Sequence, residues 1–500
     1  MSLNPSSGQG ALFELVARGM KDAYFVKDTP QSAFPYDARY QPSTAHLAER
    51  RTAVPLSAAA FGGSFEIEID PYGDVLTECA LEIELPTWLP PLPMVAQDER
   101  TVAPEIVNRL FSITADDGFV EGPSYGYVNY AGYFIFEKIQ FYQDQFLIQE
   151  WSGDGLLAKE MTEGSWGSSF LRQEMGGAIT GSVRELQLRA TPPRLRIILP
   201  LPGTQCPQDA GFPLCAMPWQ SFRIKGTLRK LEDIVVCSDP TVFKPAPWAA
   251  PQMTVRYDDS MHTFVPLSRI QMSAPSLFLS TVQHYVSPEA QNELRTTTLE
   301  IPFRKTFENV FTFGELDFIS LDKGGAATVT RRLDARHPAE RLFWFFRNTT
   351  VLNNNRLDDW YNDYFDDKGT TAAQPYTNPY GEFYYSIKLN IAGKEREDAY
   401  GPLVTSQMVQ LVKDERANGM HIGGMNWSTG EKYGVVYPAE RQPEGTVNFT
   451  TADRPTLLIS LANVNTNVYL SQRKVEMRAF VEGWNAYVVK EGRGKMMFAS

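Results

Sequence analysis

The sequence contains few cysteine residues, and their spacing excludes the common structural uses of that residue. The 500-residue chain has four, Cys79, Cys206, Cys215 and Cys237. None forms a CxxC pair, and four in so long a chain do not make a disulfide framework. Cys206 and Cys215 could meet across their loop, but we expect free thiols because disulfides are rare in cytosolic proteins.

Histidine is also scarce, and the motifs of common catalytic and metal sites are absent. The five histidines are scattered, with no HExxH pattern and no cluster with cysteine. No GxSxG nucleophile elbow occurs. Gly492–Lys495 resembles a phosphate-binding loop only superficially, because Met496 stands where that loop needs serine or threonine. We therefore expect neither an enzyme nor a bound metal or cofactor.

The chain lacks long apolar runs and an excess of basic residues. No stretch of about 18 apolar residues is present to span a membrane as a helix, and no basic-then-apolar leader opens the sequence. The formal net charge is −12, which argues against a surface that wraps nucleic acid. We expect a protein that is made and used in a reducing compartment and has no direct contact with nucleic acid.

Aromatic residues and alternating patterns, in contrast, are abundant. The 30 Phe, 22 Tyr and 9 Trp suit strands packed face to face, and 500 residues accommodate two all-β domains. Residues 153–181 are predicted as a Gly/Ser-rich loop, and 287–295 as either a helical turn or a loop. Alternating or apolar runs bounded by turn residues predict strands at 65–69, 80–85, 133–141, 194–199, 219–228, 275–286, 297–307, 384–391 and 475–481.

An apolar stripe at helical spacing precedes the first predicted strand. Leu12, Leu15, Val16 and Met20 recur near i, i+3, i+4 and i+8 within residues 10–27. Two interpretations stay open for this segment. It is either a short helix packed on the edge of a domain, or a segment on an inner surface near lipid or a partner.

Several segments resemble the major capsid proteins of nucleocytoplasmic large DNA viruses, and they occur in the family's order. The N-terminal GALFELVARGMKDAYFV is similar to the family's "GxLxxLVAxGxxDxYL" run, and Gly73–Pro86 to its "GDLIxxxYLEVxLP". The segment around His337–Pro338 resembles "FNHPVKELIWVxQ", and EGTVNFTTAD, Glu444–Asp453, resembles "SGTxNFSRIDN". The family's basic pair before a histidine is replaced here, since Pro42, Ser43 and Thr44 precede His46.

The resemblance implies two consecutive eight-stranded jelly-roll domains with long loops and a short, helix-like N-terminal segment. It implies an inner-face segment at 1–27, a first jelly roll at 28–240, a linker at 241–254 and a second jelly roll at 255–500. It further implies a homotrimeric capsomer of pseudo-hexagonal outline that contacts neighbouring capsomers and minor capsid proteins. These capsomers tile an icosahedral virion shell over an internal membrane, assembled in the host cytoplasm. The alternative is a carbohydrate-binding or hydrolytic β-sandwich protein, because fold does not fix function.

Three sites fit the N-x-S/T pattern for sugar attachment. Asn348, Asn426 and Asn448 are followed by the required residues. We expect no modification, because no secretory signal is visible. If sugar is attached at all, Asn426 in a Gly-rich stretch is the best candidate, followed by Asn348, whereas Asn448 is expected to have a structural role.

Overall fold

The expectations for Leu12, Leu15, Val16, Met20 and Cys206 fall on residues outside those that the structure describes. The computed structural model of the chain describes residues 46–88, 110–113, 119–121, 125–163, 192, 194–205, 210–237, 244–246, 253–258, 263–266, 272–314, 316–317, 327–348, 355, 357–358, 360, 384–391, 394–395, 422–427, 445–451, 455–461 and 475–498.

Most described residues lie in β-strands, as the alternating sequence patterns predict. The helices are α1 (Ala131–Phe134), α2 (Gly153–Glu163) and α3 (Pro288–Thr296). The first thirteen strands are β1 (His46–Ala53), β2 (Ser64–Glu68), β3 (Val75–Glu84), β4 (Leu110–Ile113), β5 (Phe119–Glu121), β6 (Tyr125–Tyr127), β7 (Phe136–Gln143), β8 (Phe146–Trp151), β9 (Leu195–Ile198), β10 (Phe222–Leu228), β11 (Val235–Cys237), β12 (Met253–Asp258) and β13 (Thr263–Pro266). The others are β14 (Ser276–Val286), β15 (Leu299–Phe313), β16 (Ala327–Arg332), β17 (Pro338–Asn348), β18 (Tyr384–Ile391), β19 (Lys394–Glu395), β20 (Gly423–Asn426), β21 (Val447–Asn448), β22 (Thr456–Leu461), β23 (Val475–Lys490) and β24 (Arg493–Met496).

Two four-stranded antiparallel sheets form the first sandwich. One, sheet 1A, has the order β1-β14-β3-β9, and the other, sheet 1B, has the order β2-β10-β7-β8. The strand β10 shows why such segments become strands: Phe222, Ile224, Gly226 and Leu228 are buried, while Arg223, Lys225 and Thr227 are partly exposed. Successive strand side chains point to opposite faces, so this alternation lets sheet 1B bury one face.

The second sandwich repeats the same strand order. Its sheet 2A has the order β15-β23-β17-β20, and its sheet 2B has the order β16-β22-β18-β19. In both sandwiches the first strand lies beside the last, and the second strand lies beside the last but one. Eight antiparallel strands wound in this way form a jelly roll. The predicted all-β fold of two consecutive eight-stranded jelly rolls is therefore confirmed.

The first sandwich continues beyond residue 240, where the sequence analysis places its end. Its eighth strand is β14, which pairs with both β1 and β3. Helix α3 then leads to β15, so the strand pairing puts the division between the sandwiches after Val286. The prolines of the expected linker lie in the connection between β10 and β14. Proline interrupts strands, but a proline-rich segment is not by itself a domain boundary.

Each sandwich has its own apolar core. The first core joins Leu81 and Ile197 of sheet 1A to Phe141 and Ile224 of sheet 1B. The second core is built in the same way by sheets 2A and 2B, from Leu342, Trp344, Phe346, Ile387, Leu389, Leu457, Ile459, Met477, Ala479 and Val481. Full burial of one such side chain contributes about 1.5–3 kcal/mol, so these cores dominate the stability of the fold.

Two local predictions differ from the structure, and one left open is decided by it. Residues 133–141, predicted as one strand, begin in helix α1 and continue as β7. The predicted loop at 153–181 opens with helix α2. The segment left open at 287–295 is mainly helix α3, with Ser287 as its N-cap and Pro288 in its first turn, a combination that favours helix initiation.

Candidate functional site at the junction of the two sandwiches

The central strands β17 and β23 of sheet 2A are largely buried on both faces, and the outer face of these strands meets the first sandwich. Leu342 and Trp344 of β17 belong to the second core, whereas the intervening Phe343 and Phe345 pack in the same cluster as Leu156 of α2. Strand β23 shows the same division of its two faces, since Met477 and Val481 belong to the second core and Phe480 and Tyr487 to the first. We call this contact between α2 and sheet 2A the junction.

Helix α2 begins where the chain backbone passes very close to its neighbours. Ser152 caps the helix, since its hydroxyl accepts a hydrogen bond of 2.9 Å from the Gly155 amide. A Cβ on Gly153 would lie 2.5 Å from the Phe136 carbonyl oxygen and closer still to that of Tyr133. Position 153 therefore requires glycine, because any side chain would collide with these two carbonyl oxygens. The helix begins there although glycine has a low helix propensity.

Asp154 lies at the centre of the junction and is fully buried. Its carboxylate accepts hydrogen bonds from Arg229 at 3.0 Å and Arg347 at 2.9 Å, and it forms an ion pair with Arg478 at 3.0 Å. Arg229 belongs to the first sandwich, and the other two arginines belong to sheet 2A. A single aspartate of the first sandwich thus forms ion pairs with arginines of both sandwiches.

The arginines hold Asp154 in its charged form. Burial by itself raises the pKa of Asp154, but the positive charges of Arg478, Arg347 and Arg229 outweigh it and hold the pKa well below its usual value. Burial likewise lowers the pKa of Arg478, and the charges of Asp154 and Glu476 more than reverse that effect. The charged forms of Asp154 and Arg478 therefore stabilise each other in the folded protein.

A second ion cluster joins the sandwiches further along α2. Lys159 of α2 donates a hydrogen bond of 2.7 Å to Glu482 of β23, and Arg341 of β17 donates to the same carboxylate. Burial raises the pKa of Glu482, but Arg341 and Lys159 outweigh it and hold the pKa well below its usual value. Replacing either cation would leave a buried carboxylate with less compensation, which costs several kcal/mol.

The C-terminal hairpin supplies a third, uncharged link. Tyr487 donates to the Gln143 side chain at 2.6 Å, and Gln143 in turn donates to the Gly494 carbonyl at 2.7 Å. Gln220 pairs with the same glycine, accepting from its amide at 2.6 Å. The β23–β24 hairpin of the second sandwich is thereby fixed to the end of sheet 1B.

These groups fix positions rather than carry out acid–base chemistry. Each central carboxylate of the junction is paired with two or more cations, so neither is free to accept a substrate proton. The buried thiols of Cys79 and Cys215 are poor nucleophiles, since burial raises the pKa of Cys79 and raises that of Cys215 to about 11. Within the described part of the chain, no group of three or more metal-ligating side chains forms a cation site.

The predicted glycosylation sites lie in the second sandwich. Asn348 is the last residue of β17, and Asn426 ends strand β20 instead of lying in a loop. Asn448 caps a turn, because its side-chain oxygen accepts from the amides of Thr450 and Thr451. That Asn426 and Asn348 carry no sugar, with Asn426 the better candidate if either does, stays a prediction.

Sequence reasoning did not identify the charged residues of the junction. Asp154 and Lys159 fall in a segment predicted as a loop, and Arg347 and Glu482 fall in strands where charge suggests a solvent-facing position. The feature that could have indicated these buried charges is the length of β23, a strand of 16 residues that is buried at most positions. A charged residue within such a strand has to be paired, and its partner has to come from another layer.

The described residues contain no helix that is long and apolar enough to cross a membrane.

Comparison with known proteins supports the fold through structure, not through sequence. No protein-family model and no curated protein matches the chain. The PBCV-1 virus capsid model has a TM-score of 0.62 at 14% identity, covering 93% of this chain and 100% of that one. PBCV-1 VP54, fitted into a reconstruction of the virophage Sputnik, gives 0.61 at 14% identity with the same coverage. The Faustovirus major capsid protein gives 0.56 at 11% identity, covering 95% and 94%. The chain therefore has the double jelly-roll fold of the major capsid proteins of large DNA viruses.

Proposed function

We propose that this protein is a viral major capsid protein whose activity is self-assembly. Its subunits form homotrimeric capsomers, and these tile an icosahedral shell over an internal membrane. The observation that carries the proposal is the repeated strand order, because each chain contributes two sandwiches of the same topology. Three such chains around a threefold axis present six similar units, which gives a pseudo-hexagonal outline that packs without gaps.

The junction supports this proposal because a shell subunit has to keep its two sandwiches in a fixed relation. The Asp154 and Glu482 clusters and the C-terminal hairpin join them at three places. Buried ion pairs contribute little net stability compared with apolar packing, but they strongly disfavour any arrangement that separates the partners. A rigid pair of sandwiches gives each capsomer a defined edge.

Exposed aromatic side chains at one end of sheet 1B support a subunit contact there. Trp219 is 83% exposed and Phe146 is 73% exposed. Their chain segments meet at this end of the sheet, because Asp144, two residues before Phe146, accepts a hydrogen bond from the amide of Ser221, two residues after Trp219. Large apolar side chains grouped on a surface are typical of protein interfaces.

The capsid location implies further partners. Neighbouring capsomers and minor capsid proteins contact the trimer, and the N-terminal stripe of Leu12, Leu15, Val16 and Met20 lies on the inner side, near the membrane. Assembly in the host cytoplasm accords with the buried Cys79 and Cys215, which are free thiols. The carboxylate pair that glycoside hydrolysis needs is not present among the residues that line the pocket at His337, since Asp334 is their sole acid.

The mass of the purified protein in solution tests the proposal. Light scattering should give three times the mass of the chain, and negative-stain images should show particles with pseudo-hexagonal outlines. The double variant Trp219→Ser with Phe146→Ser should shift the equilibrium toward monomer, whereas Leu47→Ser, at an exposed position on β1, should not. A wild-type monomer that does not associate on raising the concentration would contradict the proposal.

A further inference from the structure

Two of the segments that resemble capsid-protein motifs meet at one pocket that the assembly function leaves unexplained. The His337–Pro338 turn pairs with Asn448 and Phe449, since Pro338 lies opposite Asn448 in the β17–β21 ladder. The Phe449 amide also donates to the His337 carbonyl at 3.1 Å. Together with the C-terminal residues Met497 and Phe498, these segments line a pocket of 660 Å³, within the usual size range of small-molecule sites.

His337 is held in an unusual conformation at this pocket. Its φ is 70°, a left-handed value that few non-glycine residues adopt and that costs of the order of 1 kcal/mol or more. The Thr450 hydroxyl accepts from its amide at 2.8 Å, and its ring packs between Phe307 and Phe498 with centroid distances of 5.6 and 5.9 Å. Strain of this kind is commonly kept where a side chain is positioned for a ligand.

The pocket lining carries more positive than negative charge, because its two arginines face a single acid, Asp334, among the described residues. Arg332 and Arg336 both line it, and neither makes an ion pair or a side-chain hydrogen bond with another described residue. Lys305 on β15 is 8% exposed and likewise has no salt bridge within the described part of the chain. Burial lowers the pKa of His337, and the nearby charges of Lys305 and Arg336 lower it further. An anion beside Arg332 and Arg336 would be attracted by their two positive charges, which outweigh the one negative charge of Asp334.

The rest of the lining is apolar and open to solvent. Met497 is 51% exposed and Phe498 is 45% exposed at the rim, and Leu333, Phe449 and Pro455 complete the apolar wall. The C-terminal segment is fixed in place, because Asn485 donates to the Phe498 carbonyl at 3.1 Å and accepts from its amide at 3.2 Å. The wall is therefore formed before any ligand arrives.

We propose that this pocket binds a small organic anion, namely a single carboxylate or phosphate group joined to an apolar body. The anionic group pairs with Arg336 and Arg332 beside His337, and the apolar body lies against Phe449, Met497 and Phe498. The same head-group chemistry is found in free acyl carboxylates and in alkyl phosphates related to lipids. This site does not depend on the capsid function, because all the residues that line it belong to one chain.

Calorimetric titration of the purified full-length protein tests the site. The probes are octanoate, octyl phosphate, inorganic phosphate and the neutral octyl glucoside. At least one of the two octyl anions should bind saturably, with one site per chain, and the tighter of the two identifies the head group. Inorganic phosphate and octyl glucoside should bind about tenfold more weakly or not at all, because each supplies only half of the interactions.

Variants assign the binding to this pocket. Arg336→Glu should weaken the octyl anion about tenfold or more, because it replaces an attraction by a repulsion. Phe498→Ser should weaken the octyl anion but leave inorganic phosphate unchanged. Lys394→Glu makes the same charge change at an exposed position of sheet 2B and should have no effect. All three positions are partly or fully exposed, so the fold should persist, as checked by thermal unfolding.

Three outcomes of these titrations would overturn the proposal. Absence of saturable binding by both octyl anions would overturn the proposal, as would equal affinity for octyl glucoside. Unchanged affinity in Arg336→Glu would place the anion elsewhere and would also overturn it.

Discussion

The Asp154 carboxylate of the first sandwich lies 2.9 Å from the Arg347 guanidinium of the second, and both side chains are buried. Arg347 also binds Glu476 at 2.9 Å and donates to the Leu357 carbonyl at 3.0 Å. Its position is therefore fixed on the second sandwich before it reaches Asp154. A shift of one sandwich against the other would separate two buried charges, so this pair opposes relative motion of the sandwiches.

Neutralising Asp154 should destabilise the protein strongly. In Asp154→Asn the three arginines lose their shared counter-charge, and breaking a buried ion pair costs about 3–5 kcal/mol. Urea unfolding at one fixed protein concentration measures the loss. Asp70→Asn is the matched control, because Asp70 is exposed and pairs with no cation among the described residues, and its effect should stay within about 0.5 kcal/mol. Equal effects of the two substitutions would contradict the role assigned to Asp154.

Stability should fall in acid, and Asp154 should account for part of the fall. The folded-state pKa values of Asp154, Glu476 and Glu482 are lowered, so the unfolded chain binds more protons than the native one in acid. Their contribution is complete above the unfolded pKa values of about 3.9 to 4.3 and is lost as the pH falls below them. Glu308, whose pKa is raised chiefly by burial, works in the opposite direction.

The unfolding free energy measured between pH 3 and pH 7 checks this. Wild-type stability should decrease below about pH 5, because the lowered carboxylate pKa values make unfolding take up protons there. The Asp154→Asn variant should show a smaller slope, since one of the linked groups is gone. Identical slopes in both proteins would show that Asp154 is not linked to unfolding.

Gly153→Ala should destabilise the protein, although alanine usually improves a helix. The gain in helix propensity is about 1 kcal/mol. The added Cβ, however, would lie 2.5 Å from the Phe136 carbonyl oxygen and closer still to that of Tyr133, and neither backbone atom can move freely. The steric cost should exceed the gain, with a net loss of about 1–3 kcal/mol. Gly314→Ala is the control, since its Cβ would meet nothing within 4 Å, and a stabilised Gly153→Ala would contradict the close packing of α2.

Many strands of both sandwiches were predictable from the sequence, because a half-buried strand has an alternating sequence pattern. The run Phe222, Arg223, Ile224 predicts β10, and Ile387 and Leu389 predict β18 in the same way. The start of helix α2 has no such sequence pattern, because its two glycines are there to allow close approach to Tyr133 and Phe480. A glycine required by a tertiary contact looks, in sequence, the same as a glycine in a loop.

The junction was not predictable for a related reason. Glu482 and Arg341 lie on strands whose burial on both faces depends on a second sandwich packing against them. Local periodicity describes one face of one element, whereas pairing between Lys159 and Glu482 joins residues 323 positions apart. The same holds for the eighth strand of the first sandwich, which pairs with β1 and β3 across the proline-rich connection.

Deleting residues 1–24 should separate folding from assembly. The segment carries the apolar stripe of Leu12, Leu15, Val16 and Met20, and both sandwiches have their eight strands without it. The truncated chain should form a trimer with nearly unchanged melting temperature, because terminal segments contribute little core burial. Shells should fail to form or be misordered in electron micrographs. A truncated chain that does not fold or trimerise would place the segment in the core.

Gly494→Ala should loosen the C-terminal hairpin from the first sandwich. Its Cβ would lie 2.5 Å from the Met217 sulfur and closer still to the Tyr487 hydroxyl. Tyr487 would be displaced from Gln143, and we expect a loss of about 1–3 kcal/mol in the unfolding free energy. Because the clash is largely with the hydroxyl, the substitution should cost less in a Tyr487→Phe background, which a double-mutant cycle measures. Strict additivity of the two changes, or a loss no greater than that of Gly314→Ala, would show that this contact does not hold the hairpin.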